Sequence, residues 1–206
     1  MVLKRILSVF SILLLGVFFS SFNLSFLSNE LISTDTIPKP PKMSIGMEAY
    51  GGVIFHLDRT RRHGLVVSIE NIGNRSTKYE WGCSGARVIG ANGTKLGTGL
   101  SNTASIAGSC TEQMNAAQAC LNYNKDGYDD WYLPSLEELE LISEYLGEGS
   151  EFSELVDFDR ANYFSSSQLN DKKYQGNYAW TVNLIEGYST FSLKSSNHKV
   201  RAIRSF

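Results

Sequence analysis

Histidine is scarce in this chain. Only His56, His63 and His198 occur in 206 residues, and none stands at a spacing that would let imidazoles share a zinc ion. No H-E-x-x-H run and no G-x-S-x-G elbow is present, so neither metalloprotease nor common serine hydrolase chemistry has a signature. The glycines at 90, 93, 97 and 99 lack the Gly-Lys-[Ser/Thr] of a phosphate cradle and read as flexible loop. An excess of one charge is also missing. The 19 Lys and Arg against 21 Asp and Glu give a formal -2, which excludes the basic surplus that a nucleic-acid partner demands. Proline is limited to Pro38, Pro40 and Pro41 in one cluster and Pro134 elsewhere.

The N-terminus holds the long hydrophobic run. Lys4 and Arg5 precede Ile6 to Phe19, interrupted only by Ser8, Ser11 and Gly16, which is the pattern of an export signal. Extended to Leu27, the run reaches the ~20 residues that can span a bilayer, so residues 1–27 read as a signal peptide or an uncleaved anchor. Lys4 and Arg5 then stay on the cytoplasmic side and the remainder is outside, secreted or anchored. Any membrane contact is through this segment. Residues 28–42 are polar and hold the proline cluster, a semi-rigid spacer. Residues 43–206 remain as the folded domain, long enough to bury a core of its own.

Cysteine numbers three, Cys83, Cys110 and Cys120. In an oxidising compartment an odd count leaves one thiol over. Ser109 and Glu112 write a capping box ahead of Met114, Ala117 and Leu121, so Cys110 and Cys120 are expected at opposite ends of one helix. At 1.5 Å rise per residue they stand roughly 15 Å apart, beyond the ~7 Å limit for a bridge. Cys83 is therefore the bridged residue, with Cys110 its favoured partner and Cys120 the alternative.

Gly51 to Leu57 and Leu65 to Ser68 are β-branched and aromatic runs around a turn at Asp58–Gly64, a hairpin. Glu70 to Ser109 reads as one long loop, which the Cys83 bridge would pin. In GYDDWYLPSLEELELI (127–142), Pro134 biases Leu133 towards an extended conformation, while Ser135 and Glu138 form a second capping box. An extended segment ends there and a helix begins. Leu136, Leu139, Ile142 and Leu146 give its buried stripe, and Glu137, Glu138 and Glu140 are expected on a solvated face near the positive end of the dipole. Beyond it lie YFSSS (163–167), Tyr178 to Leu184 with Tyr178, Trp180, Val182 and Leu184 in alternation, Tyr188 to Leu193 and Lys199 to Phe206, read as an antiparallel meander. The order hairpin, loop, two helices, meander is an α+β layout.

The series GGVIFHLD, HGLVVS, WGCSGA, GTGLSNT, the C-x9-C helix, GYDDWYLPSLEEL, YFSSS, AWTVNL and VRAIRSF resembles the Lcl C-terminal domain family, across nearly all of residues 46–206. The resemblance implies a C-type-lectin-like fold: two helices packed on a twisted antiparallel sheet, a long irregular loop region, and first and last strands close together. It places Trp131 and Leu133 in the core. For the adhesin that names the family, binding of sulfated glycosaminoglycans is implied. The formylglycine-generating enzymes share a related fold and use a cysteine pair, and only the cysteines themselves point that way here.

Asn122 to Gly127 imitates the start of a calcium loop, with Asp126, Asp129 and Asp130 as the carboxylates. Leu133 fills the twelfth position in place of the bidentate glutamate, so a helix-terminal turn explains the stretch better, and no cofactor is expected. Arg59, Arg61, Arg62 and His63 crowd one hairpin turn. Planar guanidiniums suit sulfate and carboxylate groups, and Lys194, His198 and Lys199 in another turn are expected to extend the patch. Tyr123, Tyr128, Tyr174 and Tyr188 are candidates for stacking on sugars. The sequence thus reads as an exported, non-catalytic binding module for glycan, with acidic or sulfated polysaccharide or a surface protein as partner. A structural or assembly domain of the cell envelope, homo-oligomeric or with another protein, is the alternative. An enzyme ranks third.

Overall fold

Each strand of the 51–68 hairpin is apolar at almost every position, and the fold explains why. A computed structural model describes residues 42–174 and 176–206. The readings made for residues 1–27 and for the spacer up to Pro41 lie outside the described residues. Strands β1 (Glu48–Ala49), β2 (Gly52–Leu57), β3 (Gly64–Val67) and β7 (Ile203–Ser205) form an antiparallel sheet in the order β1-β2-β3-β7. Ile54 and Val66 enter one apolar cluster with Trp81, Trp131, Leu133 and Ile106. Their neighbours Val53, Phe55, Leu65 and Val67 enter a second, with Leu139, Ile142, Tyr163 and Val182. A sheet packed on both faces has no polar phase, so its strands read as continuous hydrophobic runs.

A second antiparallel sheet holds β4 (Asn162–Gln168), β5 (Tyr178–Asn183) and β6 (Ser189–Leu193) in that order. The ladder between β4 and β5 shifts register between Phe164 and Gln168. At this irregularity Ser165, Ser166 and Ser167 are all fully buried, and their hydroxyls replace missing ladder bonds: Ser165 Oγ donates to the Trp180 carbonyl at 2.9 Å and Ser167 Oγ to that of Gly93 at 2.6 Å. The architecture is α+β, with three α-helices among the described residues: α1 (Gly99–Ser109), α2 (Ala116–Leu121) and α3 (Leu136–Leu146).

The corner at Pro134 forms as expected. Ser135 caps α3, accepting from the Glu138 amide, while the Glu138 side chain accepts from the Ser135 amide. Trp131 and Leu133 are fully buried. Between them Tyr132 exchanges both backbone hydrogen bonds with Ile203, at 2.8 and 3.0 Å, so the segment lies against β7.

Five expectations need correction. Glu70–Ser109 is not all loop, because α1 occupies its last eleven residues; GLSNTASIAGS hides the helix behind small residues, with Asn102 and Thr103 buried beside Ile106. Cys110 and Cys120 do not share a helix. Cys110 closes α1, its amide donating to the Ile106 carbonyl, and α2 starts after Asn115, whose side chain accepts from Gln118 at 2.9 Å. The inner phase at the start of β5 is Ala179 and Thr181, while Tyr178 and Trp180 are only half-buried. The last strand leaves the meander and pairs with β3, Leu65 opposite Ser205. Glu138 is not on a solvated face: it is fully buried, with amide donors from Gly97 at 2.8 Å and Ser135 at 2.7 Å.

The loop before α1 is pinned as the cysteine argument requires. Cys83 and Cys110 form a disulfide with Cα atoms 4.9 Å apart, and Cys120 is a buried free thiol. Burial pushes that thiol well above its ordinary pKa, which keeps it protonated and unreactive.

Candidate functional site

The hairpin turn between β2 and β3 is organised by one acid. Asp58 accepts from Thr60 Oγ1 at 2.8 Å and from the Arg62 amide at 3.2 Å, and its own amide donates to the His63 carbonyl at 2.9 Å. Arg61 takes a positive φ of 56° at the tip, a conformation seldom adopted by residues other than glycine and the Asn, Asp group. With the carboxylate occupied by the turn itself, Arg59, Arg61, Arg62 and His63 all project as exposed side chains. None of the three arginines has an ion-pair partner among the described residues. Such a cluster presents guanidinium forks ready to meet planar or tetrahedral oxyanions.

The other basic residues assigned to the patch do not join it. Lys194 is fully buried: its Nζ donates to the Ala86 carbonyl at 2.8 Å and to Gln168 Oε1 at 2.6 Å, and it stands 4.2 Å from the centre of the Trp81 ring. Burial lowers its pKa to about 8. Lys199 is 3 % exposed and pairs with Asp159 at 2.8 Å. His198 is half-buried, its ring edge-on to Phe164 at 4.7 Å, and burial pushes its imidazole below the ordinary value. These three are fastenings of the loops around them and not surface charge.

Two further cations of the closing run, Arg201 and Arg204, escaped the sequence reading altogether. Arg201 is fully buried against the Phe158 ring and donates to the carbonyls of Ser68 at 3.0 Å and Asp157 at 2.7 Å. Arg204 lies 4.0 Å from the Tyr128 ring centre, donates to the Tyr50 carbonyl at 3.2 Å and grips Asp130, with Nη2 to Oδ2 at 2.9 Å. That grip occupies one of the three carboxylates of the calcium alternative. Arg204 holds the Asp130 carboxyl below its ordinary pKa, Asp126 sits in a tight turn with φ 54°, and the three carboxylates at 126, 129 and 130 do not converge within ligand reach of one another. The cluster that does converge, Cys83, Cys110 and Glu112, has both sulfurs in the disulfide, and Glu112 accepts from the Cys83 amide at 2.9 Å.

The tyrosines divide. Tyr123 packs edge-on against Trp131 at 5.2 Å and donates to Glu70, and Tyr128 lies under Arg204, so both are structural. Tyr174 belongs to a cluster with Tyr178 and Phe191, ring centres 4.9 to 5.5 Å apart, and Trp180 meets Phe191 at 6.0 Å. Tyr188 is 48 % exposed. The sequence carried a signal for this cluster, since Trp180 and Phe191 each stand two residues from another large apolar side chain in neighbouring strands. On the opposite side of the chemistry, Leu100, Leu121, Trp131 and Tyr132 line an open apolar cavity of about 180 Å³.

The family model described as the Lcl C-terminal domain matches residues 73–204. The chain belongs to the Lcl C-terminal domain family. The matched stretch includes the bridged loop, all three helices, the second sheet and nearly all of β7, but not the basic hairpin turn, which lies upstream of it. Strands β1 to β3, like the turn between β2 and β3, lie upstream of the matched residues. No curated protein matches the sequence.

Proposed function

We propose that this Lcl C-terminal domain is an exported, non-catalytic binding module of the cell envelope that takes an acidic or sulfated polysaccharide at the Arg59, Arg61, Arg62 turn. One observation carries the reading. Four cations of the C-terminal region, Lys194, Lys199, Arg201 and Arg204, are buried and engaged, whereas the turn holds three exposed arginines without ion partners among the described residues. In a chain of formal charge -2, attraction to a polyanion has to come from such a local cluster. A disulfide suits an oxidising compartment outside the cytoplasm. A C-type-lectin-like arrangement is part of the same reading: β7 returns beside the opening hairpin, bringing the ends of the domain together, and the long 70–98 region is pinned at Cys83.

The test is binding of heparin by the wild type and by the R59S/R61S/R62S variant at several salt concentrations. The wild type is expected to bind, with affinity fading as salt shortens the Debye length from roughly 8 Å at physiological strength. The triple variant is expected to lose most binding while its urea midpoint stays put, since exposed positions shift stability by only ~0.5 kcal/mol. Equal binding by both places the site elsewhere. The apolar cavity flanked by Leu100, which is 55 % exposed, and Leu121, at 37 %, favours a second reading as an assembly domain. That reading takes first place if neither protein binds heparin.

A further inference from the structure

Resting on the polysaccharide reading above, we propose that the exposed aromatic face of β5 and β6, with the polar cavity beside it, is a saccharide subsite for a carboxylated pyranose. Trp180 stands opposite Phe191, and Tyr178 opposite Leu193, so all four side chains share one face of the sheet. Phe191 is 37 % and Leu193 44 % exposed, and Tyr174 closes the cluster at one end. The cavity adjoins this face through the backbone: the Leu169 amide donates to the Tyr178 carbonyl at 2.9 Å, and the Tyr174 amide to that of Asp171 at 3.2 Å.

The cavity measures about 170 Å³, and its walls include Arg87, Gln168, Asn170, Asp171 and Lys172. At ~30 Å³ per water it holds the equivalent of five or six waters, room for a carboxylate and flanking hydroxyls but not for an oligosaccharide. Gly176, at φ 77°, lets the backbones meet here; a Cβ would stand 2.8 Å from the Arg87 Cα. Gln168 is 1 % exposed, and its Oε1 is taken by the Val88 amide and Lys194 Nζ. Its Nε2 has no hydrogen-bond partner, and buried donors are rarely left so.

Charge selects the occupant. Arg87 donates to the neutral Asn170 Oδ1 at 2.8 Å, and neither Arg87 nor Lys172 has an ion-pair partner among the described residues. Asp171, the one acid of the wall, already accepts from the Lys173 amide at 2.7 Å. Unmatched exposed cations call for an anionic oxygen group, and the guanidinium fork matches a carboxylate. The rings alongside offer electron-rich faces to polarised C–H groups. A uronic acid supplies both in one unit, a carboxylate on one carbon and a C–H face on its ring.

Unsulfated oligogalacturonate is the probe, titrated by calorimetry and tryptophan emission into the full chain in mild detergent. Trp81 and Trp131 are fully buried, so an emission change reports on Trp180. Saturable binding is expected, weakened about tenfold or more by Phe191→Ala and by the exposed pair R87Q/K172Q. Trp180→Phe should abolish the emission change and keep the heat. R59S/R61S/R62S should keep the Trp180 emission change and the heat that depends on Phe191 and on Arg87 and Lys172, even where it loses heparin and any oligogalacturonate held at the turn. Absence of saturable heat, or heat indifferent to both the Phe191 and the Arg87/Lys172 variants, overturns the subsite and leaves the heparin result standing. A dimer in sedimentation that Phe191→Ala dissociates assigns the face to a second copy of the chain and overturns it equally.

Discussion

Replacing Lys194 by methionine tests how a buried ammonium is tolerated in this fold. The substitution keeps the length of the side chain and removes the charge beside Trp81, together with the bonds to Ala86 and Gln168. Two opposing effects follow. Burial lowers the lysine pKa from 10.5 to about 8; at ~1.4 kcal/mol per unit the charged form costs up to about 3 kcal/mol at neutral pH. Each bond from the ammonium returns ~1.5–3 kcal/mol. The variant is therefore expected to be destabilised by only about 0–3 kcal/mol at pH 7, less than truncation of an ordinary core side chain. The sign of the pH dependence is the sharper measurement. Between about pH 8 and 10.5 the unfolded chain holds the lysine proton and the folded chain has released it, so stability rises with pH in that window and is flat below it. Urea unfolding of wild type and Lys194→Met, both in a Cys120→Ala background to prevent thiol exchange, should show the wild type gaining about 2 kcal/mol on the variant from pH 7 to 9.5. Parallel curves would refute the buried-ammonium argument.

Cys83→Ser opens a bridge that spans 27 residues and should cost about 2–4 kcal/mol, read as a drop in urea midpoint that reducing agent reproduces in the wild type and not in the variant. Glu138→Gln turns an amide group towards the amides of Gly97 or Ser135, which now donate to the two carboxylate oxygens. A loss of about 1–3 kcal/mol is expected, with faster hydrogen exchange at residues 97–99 than at the β2–β3 ladder.

How much of this was legible beforehand depended on whether side-chain chemistry and location agree. The hairpin and the Pro134 corner were readable because β-branched runs and a capping box mean the same thing in most settings. Helix α1 was not, because a stripe of Gly99, Asn102, Thr103 and Ile106 has too little apolar contrast to show a 3.6-residue period. The closing run misled more deeply. Lys199, Arg201 and Arg204 look like surface charge, yet they are inside because backbone carbonyls, aromatic faces and single carboxylates receive them. Sequence spacing shows nothing of those partners, which lie up to 154 positions away. The Arg59, Arg61, Arg62 turn was placed correctly at the surface because a tight turn between buried strands has nowhere else to go.

The pairing of β7 with β3 sets a timetable. Leu65, Val66 and Val67 pair with β2 along one edge and meet Ser205, Arg204 and Ile203 along the other, and Tyr132 is fastened to Ile203 as well. A chain emerging from N- to C-terminus holds its first hairpin with one edge unmatched until those residues arrive. Stable tertiary structure thus has to wait for nearly the whole polypeptide.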